Sequence, residues 1–195
     1  MDLKQQVYST LVVSASDTFT SSLLPLLADS RCEPVHTANN IGAASRELSS
    51  REYDFIIINS PLPDDSGIHF AIDSSSSGTA VVLLLVRSEL HDEIYDRVFR
   101  HGVLTLPKPI VKSTVLTALS WMASLRERLR KNEAKALSIE DKMKEIRLVN
   151  RAKWLLIKEL HMDEPQAHRY IEKQAMDTCS SKKEVAEQLI RMYSS

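Results

Sequence analysis

The side chains in this sequence that can do chemistry are cations, not paired acids, nucleophile triads or metal-ligand clusters. Arg169 and Lys173 stand four residues apart, a spacing that puts both on one face of a helix. Lys182 and Lys183 lie inside Ser181-Lys182-Lys183-Glu184, a capping-box pattern that opens a helix. Such groups contact phosphate, and the free N–H groups of a first helical turn favour the same ligand. No glycine-rich phosphate loop and no plausible Ser/His/Asp arrangement occurs, so an enzyme is not expected. Cys32 and Cys179 sit in no CxxC spacing, which argues against a disulfide framework or a zinc site and fits a reducing cytoplasm. His161 and His168 read as surface residues, and no metal or cofactor is expected.

The 195 residues suffice for one ordinary domain and a smaller module. With 43% hydrophobic and 26% charged residues the chain falls in the soluble globular class. The amino terminus is too polar for a secretion signal, and the apolar run 80–86 is too short to span a bilayer. The net charge of −1 hides an asymmetry. Residues 1–110 hold 8 Lys+Arg against 14 Asp+Glu, net −6; residues 111–146 are +3 and residues 147–195 are +2. A nucleic-acid partner is therefore expected on the rear half.

Strand and helix signals alternate over the first 110 residues. Strands are expected at 7–13, 33–37, 55–58, 80–86 and 103–106, and helices at 18–29 and 40–50. Short apolar strands between helix-sized segments indicate a parallel sheet covered on both faces. Five of them predict an α/β, flavodoxin-like, doubly wound domain. The serine run 74–77 with Gly78 reads as a loop.

The period then changes. Met122, Leu125, Leu129, Asn132, Ala136, Ile139, Met143 and Ile146 alternate spacings of three and four, with no proline or glycine between them. That is a heptad seam. A parallel two-stranded coiled coil is the preferred reading, with Asn132 fixing register. The alternative is an amphipathic helix packed on its own sheet. Beyond residue 160, Asp163-Glu164-Pro165-Gln166 starts a helix that runs to about Asp177, and a last helix opens at Ser181. Core positions there are Leu155, Leu156, Ala167, Tyr170, Ile171, Ala175, Val185 and Leu189, with Met192 on the apolar face of the last helix.

The segment Tyr53-Asp54-Phe55-Ile56-Ile57-Ile58-Asn59-Ser60-Pro61-Leu62-Pro63-Asp64-Asp65-Ser66-Gly67, with Leu106-Pro107-Lys108-Pro109, resembles the receiver domain. In that family an aspartate lies four residues before the proline and eight before the glycine. Here the position holds Asn59, which lacks the carboxylate nucleophile of an acyl phosphate. The acidic pair that holds Mg²⁺ is replaced by Ser14-Ala15, and the fourth strand ends Leu84-Leu85-Val86-Arg87 instead of in Ser or Thr. The resemblance thus implies a pseudo-receiver whose degenerate site is Asn59, Ser14 and Lys108. Lys108 reads as a loop lysine kept by ancestry, the alternative being a hydrogen bond to Asn59. The surface remains available to a regulatory protein partner or a small ligand.

Residues 147–190 resemble the ANTAR domain. The resemblance rests on Arg151-Ala152-Lys153, on Glu164-Pro165-Gln166-Ala167-His168-Arg169-Tyr170-Ile171-Glu172-Lys173-Gln174-Ala175-Met176-Asp177, and on Lys182-Lys183-Glu184-Val185-Ala186-Glu187-Gln188-Leu189-Ile190. It implies RNA binding: a dimer holds paired hairpins of a leader transcript and prevents a terminator stem. Unpaired loop bases are the part of such RNA that side chains reach. On this implication Lys153, Arg169, Lys173, Lys182 and Lys183 contact phosphate, Gln174 projects from the second helix, Tyr170 offers its ring or hydroxyl, and Ala152 lets a base approach. The alternatives are close packing for Ala152 and a core role for Tyr170. Trp154 stands where the family commonly has glycine, and can shift the packing, cover the RNA face or stack on a base.

The expected order is a pseudo-receiver over 1–120, a dimerisation helix over 121–146 and an RNA-binding domain over 147–195. A DNA-binding regulator and a protein-interaction adaptor are the rival readings. Glu184 and Glu187 make the last helix a poor reader of a major groove.

Overall fold

The computed structural model describes residues 6–77 and 79–193. They fall into two compact units, divided between Lys131 and Asn132.

The first unit is built on five strands: β1 (Thr10–Val13), β2 (Val35–Ala38), β3 (Phe55–Asn59), β4 (Val81–Arg87) and β5 (Leu104–Lys108). Their order is β2-β1-β3-β4-β5, and every pairing is parallel. This is the flavodoxin-like order, with its crevice at the carboxyl ends of β1 and β3. The helices are α1 (Asp17–Asp29), α2 (Ile41–Ser50), α3 (Ile68–Ser77), α4 (His91–Val98) and the start of α5 (Lys112–Leu160). Successive strand side chains point to opposite faces. Val13, Ile56, Ile58, Val82 and Leu84 therefore meet Ala44 of α2, Ala71 of α3 and Ile94 and Val98 of α4. Val12, Phe55, Ile57, Leu83 and Leu85 meet Leu23 and Leu27 of α1 and Val115, Leu119 and Met122 of α5. Burial on both faces is why these strands are apolar runs instead of alternating ones.

Two sequence expectations change here. Ser74–Ser77 belong to α3, not to a loop, while Gly78 lies outside the described residues. Ser74 is buried, and Ser75 Oγ donates to the His101 carbonyl at 2.7 Å. These tertiary contacts outweigh the modest helix penalty of serine. Met122, the first residue of the proposed seam, is fully buried in the core of its own unit. At that position the packing of an amphipathic helix on its own sheet prevails.

A charged cluster fixes the start of α5 to the amino-terminal edge of the sheet. One Asp54 oxygen accepts from Arg126 Nε and Arg130 Nη2, each at 2.8 Å, and the other accepts from Ser9 N at 3.0 Å. Arg130 Nη1 donates to Glu127 Oε1 at 2.9 Å, and the Tyr8 hydroxyl donates to the same oxygen at 3.3 Å. The Arg130 guanidinium lies 5.4 Å from the centre of the Tyr8 ring, which stacks on Phe55.

The second unit comprises the remainder of α5, α6 (Glu164–Asp177) and α7 (Lys182–Tyr193). Asp163 closes a complete capping box with Gln166. Ser181 and Glu184 exchange hydrogen bonds at the head of α7. The core is Ala152, Leu156, Ala167, Ile171, Ala175, Val185, Ala186 and Leu189. Four of these eight are alanines, which lets the helix axes come close. Tyr170 packs on this core half-buried, Leu155 is half-buried, and Met192 is exposed.

Burial pushes the Asp54 carboxyl up, but hydrogen bonds from Arg126 and Ser9 and the charge of Arg130 outweigh it and hold the group below its ordinary value. A depressed folded pKa gives stability that is present above the unfolded value and lost as pH falls through the folded one. Asp54→Asn, which removes the carboxylate that Arg126 and Arg130 share while Arg130 keeps its bond to Glu127, should therefore cost about 3 kcal/mol at neutral pH. Thermal melts of the variant should also decline less than those of the wild type below about pH 4. Equal melting points at neutral pH would show that the cluster is dispensable.

Candidate nucleic-acid interface

The receiver-like crevice holds an unbroken line of polar contacts. Asn59, the last residue of β3, donates from Nδ2 to Ser14 Oγ at 3.0 Å. Lys108, the last residue of β5, donates from Nζ to Asn59 Oδ1 at 3.0 Å and also to the Ser60 carbonyl. Asn59, Ser60 and Ser14 are buried. Lys108 is therefore an anchored donor, not a loop lysine kept by ancestry. Burial, and then the charge of Arg87, push its ammonium below the ordinary range. The nearby Asp64 is engaged elsewhere: its Oδ2 accepts from Ile41 N at 2.8 Å and Gly42 N at 3.2 Å at the head of α2. The Lys108–Pro109 peptide is cis. Chemically, the crevice offers an amide and a hydroxyl where acyl-phosphate formation needs a carboxylate.

The rear unit presents cations of two kinds. Arg169, Lys173 and Lys183 are exposed and have no ion pair among the described residues. Lys153 and Lys182 are held by carboxylates: Lys153 Nζ donates to Glu164 Oε1 at 2.7 Å, and Lys182 Nζ donates to Glu172 Oε1 at 2.5 Å. His168 Nε2 lies 3.3 Å from that same Glu172 oxygen. The hydrogen bond and charge of Lys153 keep Glu164 below its usual range, and Lys182 does the same for Glu172.

Of the other residues picked from sequence, Gln174 is half-buried and Tyr170 half-buried against the core. Ala152 is fully buried, so its methyl packs between helices and no base reaches it as the unit stands. A small side chain at a helix crossing serves close packing, which is the alternative the sequence left open.

The sequence list omitted a second face. Arg147, Arg151, Trp154 and Lys158 follow helical spacing on α5, and all four are exposed. Trp154 is 71% exposed, so it neither enters nor distorts the core. A basic stripe with an aromatic ring in it suits both backbone and base of single-stranded nucleic acid. The exposure of Trp154 agrees with the surface roles the sequence left open for it, while Arg147, Arg151 and Lys158 were not singled out beside it.

A parallel doubly wound domain of this order, followed by a three-helix unit, matches known proteins in both parts. Residues 138–190 match the ANTAR domain. The match lies within the second unit and covers 53 of the 195 residues. Over 135 residues the chain is 28% identical to the transcriptional regulatory protein PdtaR of Mycobacterium tuberculosis, in strains CDC 1551 / Oshkosh and ATCC 25618 / H37Rv. That alignment takes in 69% of this chain and 65% of the relative, so the chain spans just under two thirds of the curated relatives it matches. Among solved structures, the signal receiver domain of an HD domain-containing protein from Pseudomonas fluorescens Pf-5 superposes with a TM-score of 0.58 at 20% identity, covering 67% of this chain and 97% of that one. A response regulator receiver domain protein from Clostridium thermocellum does so with a TM-score of 0.56 at 19% identity, covering 63% and 99%. These two likenesses establish the receiver fold of the front unit.

Neither the wild type nor Asn59→Asp should form a phosphoryl adduct with acetyl phosphate and Mg²⁺, because the acidic pair that would hold the metal is Ser14-Ala15. Intact-mass spectrometry reads this. An adduct on the wild type would contradict the chemistry assigned to the crevice.

Proposed function

We propose that this protein is an RNA-binding transcription antitermination regulator. As a dimer it holds paired hairpins of a leader transcript, and it is not controlled by phosphorylation at the usual aspartate position. The observation that carries the reading is the exposed basic surface of the ANTAR-matching unit, with Arg147, Arg151, Arg169, Lys173 and Lys183 unpaired among the described residues. The hydrogen-bonded amide at Asn59 supports the absence of phosphorylation control. Regulation then falls to a protein or small ligand bound to the front unit. No helix among the described residues is long and apolar enough to cross a membrane, and we place the protein in the cytoplasm, where transcripts form.

The dimer is assigned to α5. Leu125, Leu129, Ile139, Met143 and Ile146 are exposed, as are Asn132 and Ala136 between them. A seam of this kind is not stable facing water and needs a partner helix. Two linked RNA-binding units then gain avidity for two hairpins beyond the affinity of one. A second reading, a protein-interaction adaptor, is favoured by Trp154 and Met176, apolar side chains 71% and 77% exposed.

Gel-shift titration tests the choice. Binding to a paired-hairpin leader RNA in preference to loop-scrambled RNA and duplex DNA is expected, and Arg169→Ala should weaken it by several-fold without lowering the melting point. Indifference to the loop sequence, or no binding by a folded dimer, would favour the adaptor. Replacing both Leu125 and Ile139 with glutamate should yield a monomer in light scattering, and a surviving dimer would place the interface elsewhere.

A further inference from the structure

The second unit contains a concavity of about 230 Å³ where α5, α6 and α7 meet. Ile146 and Val149 form an apolar wall, and Asn150 stands beside them on the same helix. Lys153 from α5, His168 from α6 and Lys182 from α7 complete the lining. The volume falls below the roughly 300–1,000 Å³ of sites for drug-sized ligands, which suits a single ring system.

The chemistry of the lining fits one nucleotide. An apolar wall takes the face of a base. The Asn150 amide donates and accepts, and the Glu145 carboxylate, which also lines the pocket, accepts from an exocyclic amino group. Two lysines supply a phosphate site. In the free unit their partners are Glu164 and Glu172, whose side chains are 62% and 41% exposed, so both carboxylates return to water readily when a phosphate replaces them. Trp154, 71% exposed, lies one turn beyond Asn150 on the same face and offers a ledge for the neighbouring base.

We propose that this pocket receives a single unpaired nucleotide of the RNA, its base against Ile146 and Val149, its edge on Asn150, and its phosphate at Lys153 and Lys182. The proposal rests on the RNA-binding reading above. It also moves Ile146 out of the dimer seam: the seam ends at Met143, and the next apolar position on that line belongs to the nucleotide.

The test uses the full chain and a fluorescent paired-hairpin RNA, together with a series in which each loop position in turn is abasic. For the wild type, one abasic position should weaken binding about tenfold, the scale of a single stacked base. Ile146→Trp fills the pocket from a side chain already 54% exposed, and should bring the ratio between intact and abasic RNA to within about twofold. Asn150→Ala, at an exposed position, should reduce that ratio even if the bulkier variant misfolds. RNA binding by the wild type with no sensitive loop position, or unchanged ratios in both variants, overturns the pocket and leaves the RNA reading standing. A monomeric Ile146→Trp with the full ratio returns Ile146 to the seam and overturns it likewise. A wild type that binds no RNA overturns both.

Discussion

Lys108 donates to a neutral amide where the receiver fold expects a carboxylate, and the character of the front unit follows from that contact. The Nζ to Asn59 Oδ1 distance is 3.0 Å, and Asn59 passes its own Nδ2 to Ser14. An aspartate there would supply a negative charge, a metal ligand and a nucleophile. Asparagine keeps the shape and offers none of the three. The line from Ser14 through Asn59 and Lys108 to Ser60 satisfies buried polar groups that would otherwise cost free energy, so the crevice is stable as it stands. The sheet that carries this line has the strand order β2-β1-β3-β4-β5.

At the other end of the strands, Asp54 is a carboxylate bound by two arginines. It orients Arg126 and Arg130 and so fixes how α5 leaves the sheet. That constraint divides the work of the helix. Met122 faces inward to its own core, while Leu125 and Leu129 remain 37% and 38% exposed. One apolar stripe thus begins as packing within a unit and continues as an open surface. In the rear unit the carboxylates of Glu164 and Glu172 hold Lys153 and Lys182 in place.

Much of this was legible from residue types. Continuous apolar runs marked β3 and β4, because a strand buried on both faces admits few polar residues, whereas the half-buried β2, Val35–Ala38, showed only as a short β-type stretch. The capping boxes at Asp163 and Ser181 fixed the starts of α6 and α7 through local hydrogen bonding alone. What the sequence hid is what tertiary contacts decide. Heptad spacing cannot tell whether Met122 meets a partner helix or its own sheet, since both demand the same apolar residue. The serines at 74–77 carry loop character that the burial of Ser74 and the bond from Ser75 to His101 override. At the candidate site, basic residues were recognisable but their pairing was not. Ala152 looked like an opening for a base and is a packing contact, and the pocket joining Asn150, His168 and Lys182 exists only once three helices converge.

The decisive comparison is the dissociation constant for a paired-hairpin RNA, measured by fluorescence anisotropy with and without acetyl phosphate and Mg²⁺. If the amide at Asn59 has taken phosphorylation out of this protein, the two constants agree, and Asn59→Ala leaves them in agreement. Tighter binding in the presence of the phosphodonor, abolished by Asn59→Ala, would mean that the crevice still carries a phosphoryl signal and that the front unit is a working receiver.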